Sequence, residues 1–282
     1  MQRGTIIKNI SNQYRVLFED GSQKDCVAMG KLRKDKKPLV GDHVDVEVFE
    51  HQLGIQKILP RKNCLLRPAI ANVDQAVIVM SSKDPDFSAT LVDRLIFMIT
   101  LSDITPVLCV SKMDLVDSDD PIYQYIEDYR RSGYQVVLTG EGDYESLADC
   151  FDGKISVLTG QSGAGKSSLL NRLNPEFELQ TQVISKALGR GKHTTRHCQL
   201  YPIAQGWVAD TPGFSSLDFA RYSLSELSEK LVDFRLAIHQ CRFRDCKHLN
   251  EPDCAVKKGV EEGTISKQRY RSYCEIASLM KK

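Results

Sequence analysis

The central region contains the glycine-rich sequence Gly160-Gln161-Ser162-Gly163-Ala164-Gly165-Lys166-Ser167, from which its fold can be predicted. It has the pattern G-x-x-x-x-G-K-S, it follows an apolar run typical of a strand, and it precedes a helical segment that begins at Ser168. Glycines at these positions let backbone N–H groups converge on a β-phosphate, Lys166 can reach the β- and γ-phosphates, and the Ser167 hydroxyl is a ligand for Mg²⁺. The stretch therefore predicts a phosphate loop over residues 160–168 that binds a nucleoside triphosphate, with Lys166 also serving catalysis; the alternative is a plain glycine turn.

The sequence around this loop alternates short apolar runs with helical stretches from Val73 onward. Such alternation predicts an α/β domain with a largely parallel sheet. Ligands of these sheets bind at the carboxyl ends of the strands, so functional residues are expected in the turns that follow them. The predicted strands cover residues 76–80, 106–110, 135–138, 155–158 and 207–209.

The base of the nucleotide is indicated by Ser111-Lys112-Met113-Asp114, which follows a predicted strand and resembles the guanine signature N/T-K-x-D. The Asp114 carboxylate can accept hydrogen bonds from the ring N–H and the amino group of guanine, whereas adenine offers no matching pair of donors. Ser111 stands where Asn is usual, so an amide bond to neighbouring loops is lost or replaced by a hydroxyl bond. The motif predicts GTP as the ligand, with residues 138–140 beside the base edge, and it disfavours an ATPase.

Two further segments carry residues expected at the γ-phosphate. Asp210-Thr211-Pro212-Gly213 is a D-x-x-G sequence after a predicted strand. We expect Asp210 to hold Mg²⁺ through water and the Gly213 N–H to bond the γ-phosphate. A threonine hydroxyl within residues 189–196 would complete the Mg²⁺ shell, and Thr194 and Thr195 are both candidates.

The residue after the D-x-x-G sequence is Phe214, where many GTPases keep a glutamine that orients the attacking water. We therefore expect slow intrinsic hydrolysis and a water-orienting group supplied from elsewhere. His193 immediately precedes the two threonines and is the candidate for this catalytic role. The alternatives for His193 are a solvated loop residue and an RNA contact.

The order of these motifs differs from that of ordinary small GTPases, in which the phosphate loop comes first and the guanine motif last. Here the guanine motif precedes the phosphate loop. The sheet is therefore predicted to be circularly permuted, with the segments near the γ-phosphate at the C-terminal end of the domain.

The first 60 or so residues have the alternation of short strands, with a turn at Asp20-Gly21 and a strict period of two from His43 to Val48. These strands are predicted to close into a small all-β barrel. The basic segment at residues 31–37 is interpreted either as a solvated loop or as a phosphate-backbone contact of an oligonucleotide-binding barrel.

The C-terminal region contains the cluster Cys241-x4-Cys246-x-His248-x5-Cys254. Three thiolates and one imidazole suit a tetrahedral structural zinc site; the alternative is a group of buried thiols. Basic residues interleave with aromatic ones around the cluster, which suits either RNA or a solvated helix face. These residues are Arg242, Phe243, Arg244, Lys247, Lys257, Lys258, Lys267, Arg269, Tyr270, Arg271, Tyr273, Lys281 and Lys282.

Composition sets limits on the class of protein. The chain has 282 residues, 41% hydrophobic and 27% charged, as expected for two or three soluble domains. Its 38 basic and 37 acidic side chains nearly cancel, so net charge gives no indication about nucleic acid. The absence of a long apolar run and of a signal peptide pattern predicts a cytoplasmic protein without a membrane segment. Scattered cysteines are expected to be reduced core thiols: Cys26, Cys64, Cys109, Cys150 and Cys198.

Over essentially its whole length the chain resembles the circularly permuted GTPases called ribosome small subunit-dependent GTPase A, the RsgA, YjeQ or YloQ family. The resemblance includes the N-terminal barrel, the phosphate loop, H-T-T-R, D-T-P-G-F, the metal cluster and Asn72-Val73-Asp74-Gln75. It implies three domains: an OB-fold β-barrel at 1–62, a permuted α/β P-loop GTPase domain at 63–220, and a helical zinc-binding domain at 221–282.

The same resemblance implies a function. It implies a monomeric GTPase that binds the small (30S) ribosomal subunit and its 16S rRNA, is stimulated by it, and acts in late subunit maturation and in release of assembly factors. The implied cofactors are one structural Zn²⁺ at the cysteine cluster and Mg²⁺ bound with GTP by Ser167 and Thr195. The alternative is a metal-containing RNA-binding module that uses GTP only for stability, which complete inactivity in the presence of small subunits would favour.

Overall fold

The computed structural model describes residues 1–10, 13–30, 32, 37–49, 52–66, 68–140, 144–175, 198–209 and 218–280. The chain divides into two units. One comprises Met1–Gln75, Ala148–Leu158 and Ser167–Gly213, and the other Ala76–Leu147, Thr159–Lys166 and Phe214–Lys282. Among the helices in these described ranges, none has the length and apolar character that crossing a membrane requires.

The first unit begins with a closed barrel of five strands. They are β1 (Gln2–Ile10), β2 (Gln13–Phe18), β3 (Gln23–Ala28), β4 (His43–Phe49) and β5 (Gln52–Ile58). β1 pairs antiparallel with β2 and β4, and β3 pairs parallel with β5, which returns antiparallel to β4. Ile6, Val16, Val44 and Ile55 fill the interior. The predicted OB-type barrel is confirmed; most of the basic segment 31–37 lies outside the described residues.

A buried ion pair holds the loop that leads into β4. The fully buried Asp42 accepts bonds of 2.6 and 2.7 Å from Arg61 and one of 2.7 Å from the Leu39 N–H. Gly41 lies against the hairpin of β6 (Cys64–Leu66) and β7 (Ala69–Ala71). It has φ of +85°, and a Cβ there would lie 2.0 Å from the Ala71 carbonyl oxygen, so the close approach requires glycine.

The barrel sheet continues beyond the barrel within the first unit. β12 (Cys198–Ile203) pairs antiparallel with β1 on one side and with β13 (Gly206–Ala209) on the other, and β13 runs parallel to β11 (Ile155–Gly160). β11 and β13 contain the predicted strands 155–158 and 207–209. β12 is not among the predicted strands, and its pairing of Lys8 with Gln199 joins segments far apart in sequence.

The second unit contains the other three predicted strands, which lie within β8 (Gln75–Ser81), β9 (Thr105–Ser111) and β10 (Gln135–Leu138). β9 lies between β8 and β10 and is parallel to β10, and every residue of β8 is buried, as expected for a central strand of an α/β sheet. Helix α1 (Ala89–Leu101) begins after Ser88, whose hydroxyl accepts the Leu91 N–H. Helix α2 (Ile122–Arg131) also lies in this unit, whereas α3 (Glu145–Asp149) is divided between the two units, and α4 (Lys166–Leu173) belongs to the first unit from Ser167 onward.

The C-terminal part of the second unit is helical, as predicted. It consists of α5 (Leu224–Lys230), α6 (Val232–Arg235), α7 (Ala255–Glu261) and α8 (Lys267–Ala277), with 3₁₀ turns at Phe219–Arg221 and Ile238–Gln240. Helix α8 begins after Ser266, whose hydroxyl accepts the Arg269 N–H at 3.2 Å. Phe234, Tyr273 and Ile276 are fully buried in this region.

Candidate functional site

The phosphate loop connects β11 to α4, as the sequence predicts. Three of its glycines have positive φ: Gly160 at +122°, Gly163 at +82° and Gly165 at +87°. A Cβ on Gly160 would lie 2.0 Å from the Val79 carbonyl oxygen, so the loop passes directly over β8 only because this residue is glycine. These conformations turn the chain sharply before the helix, the geometry in which backbone N–H groups bind phosphate.

Lys166 is the first residue of α4, and its ammonium lies within the loop. It donates bonds of 3.0 Å to the Gly160 carbonyl and 2.6 Å to the Gln161 carbonyl. Burial lowers the pKa of this ammonium. Ser167 and Ser168 follow in the first turn of the helix, and both are exposed.

The guanine motif follows β9 and is bonded directly to the phosphate loop. The Ser111 hydroxyl, on a side chain 3% exposed, donates a 2.7 Å bond to the Ala164 carbonyl and lies 3.3 Å from the Met80 carbonyl. A hydroxyl thus bonds a neighbouring loop at the position where an amide is usual. Lys112 has φ of +59°, and a 3₁₀ turn over Met113–Leu115 carries Asp114.

The loop after β10 lies against Asp114, where the sequence predicts the base edge. The Met113 N–H donates to the Thr139 carbonyl at 3.0 Å. A Cβ on Gly140 would lie 3.1 Å from the Asp114 nitrogen and 3.2 Å from its Oδ1. A side chain at residue 140 would therefore crowd the Asp114 carboxylate, which is assigned to guanine, so glycine fits best at this position.

A third segment of the site was not identified from sequence. Residues 82–87, called here the β8–α1 segment, lie between the phosphate loop and the guanine motif. The Ser82 hydroxyl donates to the Lys112 carbonyl at 2.6 Å, and the Lys112 ammonium donates to the Asp84 carbonyl. A Cβ on Gly163 would lie 3.4 Å from Pro85. The polar residues that follow the buried strand β8 could have indicated this segment from the sequence.

Several predicted site residues lie outside the described residues. His193, Thr194 and Thr195 fall within 176–197, and Asp210, Gly213 and Phe214 fall within 210–217. The described residues bring together the phosphate loop and the guanine motif.

The four predicted metal ligands also converge. The ligand atoms of Cys241, Cys246, His248 and Cys254 all lie within 4.8 Å of one another. His248 Nδ1 is 3.6 Å from Cys241 Sγ and 3.4 Å from Cys254 Sγ. Zn–S bonds of about 2.3 Å and Zn–N bonds of about 2.0 Å at tetrahedral angles would separate sulfur from nitrogen by about 3.5 Å. The donor set and its spacing fit a closed four-ligand zinc site.

The loop that carries His248 is held by an acidic side chain. The Glu251 carboxylate accepts the N–H groups of Lys247 and Leu249 at 2.9 Å each. Burial alone would raise the pKa of Glu251, but these bonds outweigh it and lower the pKa. Burial lowers the pKa of His248, which favours the neutral imidazole that metals require.

One basic residue assigned to the RNA-facing group is not available to a partner. Arg269 has no exposed surface and lies among buried carboxylates. Tyr273 is also fully buried. In contrast, Phe243 is 40% exposed and stacks with the exposed Arg242 at 5.4 Å.

Comparisons with known proteins agree with this arrangement. A family model for the RsgA GTPase matches residues 58–220, and one for the RsgA N-terminal domain matches residues 3–55. The chain is 47% identical to the small ribosomal subunit biogenesis GTPase RsgA of Bacillus subtilis, covering 100% of this chain and 98% of that protein. It is also 47% identical to the protein of that name from Geobacillus kaustophilus, with the same coverage.

Solved structures show the same fold. The crystal structure of YloQ, a circularly permuted GTPase, superposes with a TM-score of 0.85 at 42% identity over 99% of this chain and 94% of that one. YjeQ from Thermotoga maritima gives a TM-score of 0.85 at 35% identity, over 98% and 97%. By whole-length similarity and by motif order, this chain belongs to the RsgA family of circularly permuted GTPases, which hydrolyse GTP.

Proposed function

We propose that this GTPase acts in biogenesis of the small ribosomal subunit. It binds the 30S subunit and its 16S rRNA, hydrolyses GTP to GDP and phosphate late in subunit maturation, and helps to release assembly factors. The relatives named small ribosomal subunit biogenesis GTPase RsgA support this assignment. The protein acts as a monomer in the cytoplasm, with domains at 1–62, 63–220 and 221–282.

One observation carries the nucleotide assignment: the 2.7 Å bond from Ser111 to Ala164 joins the base-binding motif to the phosphate-binding loop. A P-loop alone does not select the base. Bonded to a motif whose Asp114 can accept two guanine donors, it becomes a site for GTP rather than ATP. The proposal is supported further by the contact of Gly140 with Asp114.

The residues of the site have distinct roles in this proposal. Backbone N–H groups of residues 160–168 bind the phosphates, and Lys166 exchanges its bonds to loop carbonyls for bonds to the β- and γ-phosphates. Ser111, Lys112, Met113 and Asp114 bind the base. Gly213 senses the γ-phosphate, and His193 orients the attacking water when the protein is docked on the subunit.

Two metals complete the proposal. Zn²⁺ is held by Cys241, Cys246, His248 and Cys254 and stabilises the C-terminal fold. Ser167 and either Thr194 or Thr195 would hold the Mg²⁺ that accompanies GTP, with Asp210 holding it through water, and the ion would supply positive charge at the phosphates.

Contact with 16S rRNA is assigned to the exposed basic and aromatic side chains near the metal cluster. Among the described residues these include the stacked pair Arg242 and Phe243, and the exposed Arg244 and Lys247. Arg269 is excluded from this surface because it is buried.

The test is a GTP turnover assay with and without purified 30S subunits, with 50S subunits and ATP as controls. We expect slow turnover alone, clear stimulation by 30S subunits only, and little ATP hydrolysis. Stimulation by both subunits alike would contradict the assigned partner. Inactivity with 30S subunits despite tight GTP binding would favour an RNA-binding module stabilised by nucleotide.

A further inference from the structure

Helix α8 contacts the loop of the metal cluster through two tyrosines. The Tyr270 hydroxyl donates to the His248 carbonyl at 2.8 Å, and the Tyr273 hydroxyl donates to the Lys247 carbonyl at 3.1 Å. His248 is a metal ligand in the proposed centre and has φ of +59°, so its backbone is held in a conformation that few non-glycine residues adopt. The position of α8 and the shape of the ligand loop therefore depend on each other.

Another row of side chains on α8 contacts α1. Gln268 Nε2 lies 3.5 Å from Thr90 Oγ1, the Ser272 hydroxyl donates to Asp93 at 2.7 Å, and Glu275 pairs with Arg94 at 3.5 Å. Residues 268, 272 and 275 recur at helical spacing, so they form one face. This face lies along the first half of α1.

Between these two sets of contacts lies the buried Arg269. Its guanidinium donates to Asp233 at 2.8 Å and lies 3.5 Å from Asp93 and 3.8 Å from Asp128. The rings of Tyr129 and Tyr134 stack with it, each centred 4.7 Å away. A buried guanidinium in so many contacts tolerates little displacement, because any shift leaves charges without partners in a low dielectric.

Two of the helices that contact Arg269 are connected in sequence to segments of the nucleotide site. Asp93 lies on α1, which begins directly after the β8–α1 segment that contacts Gly163 and Lys112. Asp128 and Tyr129 lie on α2, the helix that follows the guanine motif. The Tyr129 hydroxyl donates to Asp93 Oδ1 at 2.9 Å and lies 3.2 Å from the Ala89 carbonyl oxygen, so it packs against the first turn of α1.

We propose that α8 couples the metal cluster energetically to the guanine nucleotide site, with Arg269 as the positioning residue. Metal binding orders the ligand loop and so α8, and α8 holds α1 and α2 in the arrangement that places the β8–α1 segment and the guanine motif. Nucleotide binding favours the same arrangement from the other end. Because coupling between two binding equilibria is reciprocal, each ligand strengthens the other by the same factor. The inference rests on the proposed zinc and GTP sites.

The experiment measures both affinities in the full-length protein. GDP affinity is determined by fluorescence titration for zinc-loaded and metal-free protein, and zinc affinity by competition with a chromophoric chelator with and without saturating GDP. We expect zinc to raise GDP affinity at least about threefold, and GDP to raise zinc affinity by the same factor within error.

Variants separate coupling from simple stability. Arg269→Met should bind zinc and GDP with a coupling factor near one, whereas Arg271→Met, an exposed arginine on the same helix, should couple as the wild type does. If Arg269→Met does not fold, the double variant Gln268→Ala/Ser272→Ala loosens the α1 contact without removing the buried charge. This double variant should then have a smaller coupling factor than the wild type.

The outcomes are distinguishable. Zinc and GDP affinities that are independent of each other in the wild type overturn the coupling but leave both proposed sites standing. Full coupling in folded Arg269→Met, or in the double variant, overturns the role given to α8. A protein that binds no zinc removes the metal centre, and the coupling with it.

Discussion

The bond between Ser111 and Ala164 can be removed by one substitution, Ser111→Ala. The side chain is 3% exposed and Ala164 is fully buried, so water cannot easily replace the lost hydroxyl. Leaving a buried carbonyl without its donor costs about 1–3 kcal/mol. This cost lowers the free energy of unfolding, because the bond is present without nucleotide. If the loss also leaves the phosphate loop and the guanine motif unaligned in the free protein, nucleotide must align them on binding; an alignment cost of about 1.4 kcal/mol weakens GTP and GDP binding about tenfold.

The assay is a fluorescence titration with a labelled GDP, repeated with competing GTP and ATP, and a thermal melt for stability. Ser102→Ala is the matched control, because its hydroxyl also donates to a carbonyl, that of Met98 at 2.8 Å, at the far end of α1. Both variants should lose a few degrees in Tm or less, and only Ser111→Ala should lose affinity. Equal GDP affinity in the two variants would refute the idea that this bond prepares the nucleotide site.

Other predictions address the remaining parts of the site. Gly140→Ala should weaken GDP binding at least about fivefold in the same titration, because the new Cβ would lie 3.1–3.2 Å from atoms of Asp114; wild-type affinity would contradict this. Lys166→Ala should lower turnover at least about a hundredfold while circular dichroism is unchanged, and near-normal turnover would remove it from the site. Burial raises the pKa of the Cys246 thiol to about 12, so zinc must displace its proton, and zinc affinity measured by chelator competition should fall as pH is lowered from 8 to ~6.5. A flat pH profile would argue against thiolate ligation. His193→Ala should reduce 30S-stimulated turnover at least about tenfold with 30S binding retained in a sedimentation assay; unchanged stimulation would disprove the catalytic role, and lost binding would indicate a docking contact.

Features that depend on short spacing were predictable from the sequence. The phosphate loop, the guanine motif and the metal ligands each lie within one short segment, and their chemistry requires fixed residue types at fixed intervals. The strands 76–80 and 106–110 were predictable because the buried central strands of an α/β sheet are continuous apolar runs. The motif order was sufficient to predict the permutation.

Features that depend on distant partners were not predictable. Nothing in the sequence near Arg269 distinguishes it from the exposed Arg271 two residues later, because its burial depends on carboxylates that lie on three other helices. Ser111 stands where Asn is usual, so the sequence indicated that a hydroxyl bond could replace the amide bond. The acceptor of that bond, the Ala164 carbonyl, is known only from the fold. β12 was not predicted because it contains Pro202, a residue uncommon within strands, and because it pairs with β1, which is far away in the sequence.

The pairing of β1 with β12 has a consequence for any attempt to separate the barrel from the rest of the protein. Removing residues 1–62 would leave part of the outer side of β12 with unpaired N–H and C=O groups. An open strand edge of this kind recruits strands from other molecules, so the shortened protein should self-associate even if its nucleotide pocket folds correctly. The pairing with β1 thus covers this part of the β12 edge, which would otherwise be open to strands of other molecules.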